Sequence, residues 1–188
     1  MKFVQRMCIV ALMAQAATPF VRAQEPPVSP PQNSKPPGEG GKLRSEEETR
    51  KLLEQLACGP SGVHFSHHTE KGPQPIPEQP PDKGLIYVIR TRSGGFQSKL
   101  AMDRKWVGVN RGANYFYIEA NPGPHYFCAK TGLDSPGLLS LVIEKGKAYY
   151  LYQNFTMGGA ELDLLDESKG KEYVAKCHRS FFEEKAKK

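Results

Sequence analysis

The stretch Ala113–Lys130, ANYFYIEANPGPHYFCAK, decides the fold. Tyr115, Phe116, Tyr117 and Ile118 before its centre, and Tyr126, Phe127 and Cys128 after it, suit a pleated, half-buried surface. Between them, Asn121-Pro122-Gly123-Pro124 can neither continue a helix nor donate steadily to a strand ladder, so it reads as a turn. The stretch predicts two strands, Tyr115–Ala120 going out and His125–Lys130 coming back.

Similar units lie on both sides. Upstream, Leu85–Ile89 is a continuous apolar run with β-branched and aromatic members, which predicts a central strand buried on both faces. Phe96, Ser98, Leu100 and Met102 alternate with Gln97, Lys99 and Ala101, a half-buried strand. Asp103-Arg104 turns it and Lys105–Val109 returns, with Asn110-Arg111-Gly112 as the next turn. Downstream, Leu138–Glu144 and Ala148–Phe155 flank the tight Lys145-Gly146-Lys147, and Glu161–Leu165 is a last short strand. Val63–Glu70 is a further strand ahead of the proline-rich loop at 72–83, through which no central strand can run.

Two helices are expected. Ser45 with Glu48 forms a capping box, Leu52, Leu53 and Leu56 make an apolar stripe, and Gly59-Pro60 stops the first helix. Tyr173, Val174, Cys177, Phe181 and Phe182 fall at helical spacing and predict a C-terminal helix from Gly170 to about Lys185. Many short strands with regular turn signals predict a mainly β protein, an antiparallel β-sandwich of transthyretin-like or immunoglobulin-like form, with short helices at both ends. The body of the sandwich is placed at 84–168, preceded by the helix and proline-rich loop at 43–83 and followed by the helix at 169–188.

The start of the chain predicts export. Lys2 and Arg6 precede the apolar run Met7–Phe20, and Val21 and Ala23 fit the small-residue rule for cleavage after Ala23, giving a leader at 1–23. That run is shorter than the about 20 apolar residues a spanning helix needs, so no membrane insertion is expected after cleavage. Residues 24–42, QEPPVSPPQNSKPPGEGGK, hold almost nothing apolar and predict a disordered, proline-rich linker. The formal charge of +6 falls to +3 once Lys2, Arg6 and Arg22 are removed. So mild a balance gives no support for nucleic-acid binding, which wants a strongly basic face. A periplasmic or secreted compartment is oxidising. Cys58, Cys128 and Cys177 would remain after cleavage, so one bridge can form with one thiol left over. Cys58–Cys128 would staple the first helix to the sheet; Cys58–Cys177 competes with it, and three reduced thiols are the third option.

In order along the chain, GLIYVIRTRS, MDRKWVGVNRGANYFYIEANPGPHYFCAK and VIEKGKAYYLYQ resemble the bacterial DUF2846 domain. The matching positions are Leu85–Arg90, Met102–Gly108, Asn114–His125 and Val142–Tyr150, about half of the chain. One departure is Arg104-Lys105-Trp106, where that family favours Gly-Lys in the hairpin. The resemblance implies an exported β-sandwich of unknown function and brings no catalytic residues with it. In a chain of this bacterial type, the glycan-acceptor pattern Asn154-Phe155-Thr156 reads as chance.

Candidate chemistry is sparse. His64, His67 and His68 form one local cluster, but His64 and His68 on a strand stand about 13 Å apart. Zinc wants four ligands at closer, paired spacing, and His125 and His178 are single. Cys177-His178 are neighbours that point to different sides of a helix, and His125 and Cys128 fall on opposite strand faces, so neither pair makes an activated thiolate. The richest group is Tyr115, Tyr117, Tyr126, Tyr149, Tyr150 and Tyr152. A sheet face bearing Tyr115, Tyr117, Tyr149 and Tyr152 could present rings to an envelope protein or a glycan, because such rings pair contact area with a polar tip. Trp106 reads as a core or rim anchor. The expected function is therefore a non-enzymatic envelope binding module without a cofactor or metal. The alternative is a metal-handling protein or enzyme built on His64–His68.

Overall fold

The computed structural model describes residues 45–185, apart from positions 73, 93–94 and 133–134. The expected leader at 1–23 and linker at 24–42 lie outside the described residues. Helix α1 spans Glu46–Ala57 and is followed by β1 (Phe65–Glu70), β2 (Gly84–Arg90), β3 (Gln97–Met102) and β4 (Lys105–Arg111). Next come β5 (Asn114–Ala120), β6 (Gly123–Lys130), β7 (Gly137–Ile143), β8 (Ala148–Thr156) and β9 (Gly159–Leu165). Helix α2 (Glu167–Lys176) and strand β10 (His178–Glu184) complete the order.

The protein is mainly β, with a six-stranded sheet, β1-β10-β5-β2-β8-β9, and a four-stranded sheet, β4-β3-β6-β7. Ile86, Val88, Leu100, Phe116, Phe127, Ile143 and Leu151 fill the space between them. Strand β2 is buried at all seven positions. It runs between β5 and β8, with the inter-sheet core on one face and a second apolar cluster on the other.

Two expectations need correcting. The sheets are not wholly antiparallel, since β2–β8 and β10–β5 are parallel ladders. The cause lies in Ala113–Lys130: β5 and β6 belong to different sheets, so Asn121-Pro122 is a corner between layers and not a hairpin turn. The Lys145–Lys147 turn does the same, carrying the chain from β7 to β8 in the other sheet. Secondly, the C-terminal helix stops at Lys176, and Phe181 and Phe182 lie in a strand. In β10, Ser180 and Phe182 face inward, where Ser180 Oγ donates to the Val109 carbonyl and Phe182 meets Phe116 edge to face. An apolar pair at the end of a helical pattern fits either period. The extended form wins because it hydrogen-bonds β1 on one side and β5 on the other.

Asn110 and Arg111, expected in a turn, instead end β4, and the chain passes from there to β5 in the other sheet; the β3–β4 hairpin follows the sequence. Asp103 and Arg104, at φ 49° and 69°, form the two-residue left-handed turn between β3 and β4. Asp103 holds it by accepting from the Tyr126 N–H (2.9 Å) and pairing with His125 Nδ1 (2.5 Å). A bulge between Leu100 and Ala101 turns both side chains into apolar clusters.

The first helix has its capping box, with Ser45 Oγ accepting from the Glu48 N–H. Its stripe is less buried than expected: Leu52 and Leu56 stay exposed and only Ala57 is fully covered. A disulfide joins its C-cap to the sheet. Cys58 is bonded to Cys128, and Cys177 is a free, buried thiol. Around that bridge, Trp106 packs over Gly59 and donates Nε1–H to the Pro60 carbonyl at 2.7 Å.

Candidate functional site: an aromatic outer face and its pocket

Strand alternation sorts the tyrosines. On the inward face of the six-stranded sheet stand Phe116 and Leu151, with Tyr149 packed beside them. Tyr149 therefore leaves the group expected on one face, and its hydroxyl accepts from the Glu144 N–H at 2.8 Å. The outward face carries Tyr115 and Tyr117 from β5, Tyr87 from β2, and Tyr150 and Tyr152 from β8. Tyr117, Tyr87, Tyr150 and Leu165 are in direct register across four strands.

These rings touch in sequence. The Tyr87 and Tyr150 rings are stacked, with centroids 5.1 Å apart and planes within 8°. Tyr117 and Tyr115 lie 6.0 and 6.3 Å from Tyr87. The stripe continues onto β10 and β1. The Arg179 guanidinium sits 4.5 Å from the Tyr117 ring and 4.6 Å from that of Phe181, and donates to the Tyr117 hydroxyl at 2.6 Å. His68 stacks on Phe181 at 5.3 Å. Tyr152 contacts Tyr173 of α2 and shares a 3.0 Å hydrogen bond with Thr91 Oγ1.

Helix α2 covers part of this face. It is capped by Asp166, which accepts from the Lys169 N–H, and it docks through Gly170, where any Cβ would fall on the Tyr150 ring. Beside the helix lies a pocket of about 650 Å³, with Tyr87, Tyr115 and Tyr150 as its floor, Val174 and Cys177 as one wall, and Ile76 of the proline-rich loop opposite. Burial holds the three phenols protonated above their ordinary range, that of Tyr87 to about 12. Burial also pushes the Cys177 thiol up to about 11, and its Sγ donates to the Arg90 carbonyl, so it is no nucleophile at neutral pH. Two wider hollows flank α1; the larger, about 930 Å³, mixes carboxylates of Glu46, Glu47, Glu161 and Asp163 with aliphatic residues such as Leu53 and Leu138.

The histidines do not converge. His64 precedes β1, His67 faces inward towards Gln97, and His68 faces outward onto Phe181. Partial burial, then Arg111 and His68, lower the His67 pKa. His125 belongs to the Asp103 turn and His178 to the pocket rim. Among the described residues no three His, Cys, Asp or Glu side chains gather where a metal ion could be held.

Of the four tyrosines singled out from the sequence, Tyr115, Tyr117 and Tyr152 share the outer face, but only Tyr115 lines the pocket. Tyr150 was in the wider tyrosine group but not placed on this face, and Tyr87, Val174 and Ile76 were not singled out. Spacing alone could have found Tyr150, which is two residues from Tyr152, whereas Tyr149 is three away and must oppose it. The arrangement defines a two-sheet β domain with an aromatic face half roofed by a helix. The chain matches no protein-family model and no curated protein.

Proposed function

We propose that this chain is an exported, non-enzymatic binding module of the DUF2846 type that recognises an envelope protein or glycan through the open half of its aromatic face. The observation that carries this reading is the rigid stack Tyr117–Arg179–Phe181–His68, which continues the aromatic stripe beyond the shelter of α2. Tyr117, Arg179 and Phe181 are half-buried and His68 is exposed, so ring faces and a fixed guanidinium meet solvent together. Aromatic and arginine side chains of this kind dominate recognition surfaces, since they offer area at little entropic cost. Export is supported by the Cys58–Cys128 bridge, which persists in an oxidising compartment. Among the described residues no helix is long and apolar enough to cross a membrane. The reading built on His64–His68 has no such support, because β1 sends His67 and His68 to opposite faces.

The test uses purified protein with Tyr117→Ala and Phe181→Ala variants whose circular dichroism matches the parent. Binding is measured to isolated cell-wall glycan and, separately, to detergent-solubilised envelope proteins. Each substitution is expected to weaken binding to one of these about tenfold or more. Equal binding by parent and variants, or none by the parent, would discard the proposal.

A further inference from the structure

We propose that the pocket beside α2 is a binding site for one small aromatic molecule carrying carbonyl or carboxylate oxygens. This inference does not rest on the open half of the face, and the two sites share no lining residue.

Size comes first. A space of about 650 Å³ suits a single small organic molecule and not a folded partner. Its floor is three tyrosine rings, two of them parallel, and ring walls favour a ring-bearing occupant through offset and edge-on contacts. At the mouth, Ile76 is 83% exposed. An isoleucine left in water beside an apolar hollow gains burial when the hollow is filled.

The hydroxyl groups give the polar half of the argument. On the same sheet, Tyr117, Tyr149 and Tyr152 each have a hydrogen-bond partner within the protein. Tyr87, Tyr115 and Tyr150 have none among the described residues. They are not sealed either, since the only fully enclosed side-chain polar atoms without a partner there are Ser98 Oγ and Asn110 Oδ1. Three unspent phenol groups thus border one apolar space. Protonated at neutral pH, each can donate one hydrogen bond as well as accept, and an occupant with acceptor oxygens takes up the donors. Charge is not the selector. Lys171 and Lys176 at the rim are already paired, with Glu167 at 2.6 Å and Glu172 at 2.7 Å.

The experiment titrates the full chain with anilinonaphthalene sulfonate, read by fluorescence, and displaces it with naphthoate or octanoate. One saturable site is expected, with naphthoate displacing the probe at least about tenfold better than octanoate. Val174→Trp fills the pocket and should abolish binding. The combined Tyr87→Phe, Tyr115→Phe, Tyr150→Phe variant keeps ring volume and should lose about tenfold in naphthoate affinity at unchanged circular dichroism. Should Val174→Trp not fold, this hydroxyl-free variant decides alone. Phe181→Ala, on the proposed recognition face and without contact to the pocket floor, should leave probe binding untouched, which separates the two sites. No saturable binding, equal displacement by octanoate, or naphthoate affinity unchanged in the hydroxyl-free variant overturns the assignment.

Discussion

Single side chains on the outer face carry a pH dependence whose sign is fixed. Folding raises the Tyr87 phenol from 10.0 to about 12 and the Cys177 thiol from 9.0 to about 11, in both cases chiefly by burial. Between each ordinary value and its raised one, the folded chain holds a proton that the unfolded chain has lost. That stability is therefore complete below pH 9 and drains away as pH climbs towards 12. Melting temperatures measured from pH 8 to 12 should fall over that window, by the equivalent of about 2 kcal/mol or more. Tyr87→Phe should flatten the part above pH 10, and a level profile in the parent would contradict the burial of these groups. At this scale the sequence was partly legible. Residue types marked the aromatic group, and parity assigns each ring to a face once a strand is placed. It did not choose between Cys58–Cys128 and Cys58–Cys177, because that choice depends on which layer covers which, and no local pattern encodes it.

Among the elements, α2 has the smallest margin for change. Alanine is normally worth about 1 kcal/mol over glycine inside a helix. At Gly170 the added methyl would land on the Tyr150 ring, so the helix must lift from the sheet. Overpacking of this kind typically costs 1–3 kcal/mol. Gly170→Ala should thus lower stability by up to about 2 kcal/mol in denaturant titration despite its better helix propensity; a gain would mean that α2 docks differently. The strands were legible nearly end to end because each has a strong pattern bounded by Gly, Pro or Asp. Strand β10 was not. Its Phe181 and Phe182 continue the helical spacing of Tyr173, Val174 and Cys177, and the decision for a strand comes from vacant hydrogen-bonding edges on β1 and β5, far away in sequence.

At the level of the whole molecule, α1 depends on its covalent tie. Leu52 and Leu56 remain 37% and 38% exposed, so apolar burial alone holds this helix weakly. The Cys58–Cys128 bridge closes a loop of 70 residues, which on the chain-entropy account stabilises by about 4 kcal/mol. Reduction should lower the unfolding free energy by about that amount. Amide exchange should quicken in α1 while β2, buried at every position, stays protected. Uniform loss of protection would show instead that the bridge supports the sandwich as a whole. The two-layer, mainly β architecture could be read from the sequence; the parallel ladders could not, because a proline corner between layers and a turn within one have the same composition.

Strand β10 is the last described element and sits second in from an edge of its sheet, between β1 and β5. Its contact with β5 is brief, two residue pairs, whereas β1 is matched to it along six. In a chain made from its N-terminus, β1 has no complete ladder partner until residue 184 has been added, because β10 is its one neighbour in the sheet among the described residues. A ladder between residues so far apart in sequence closes slowly, so the larger sheet is completed late in folding.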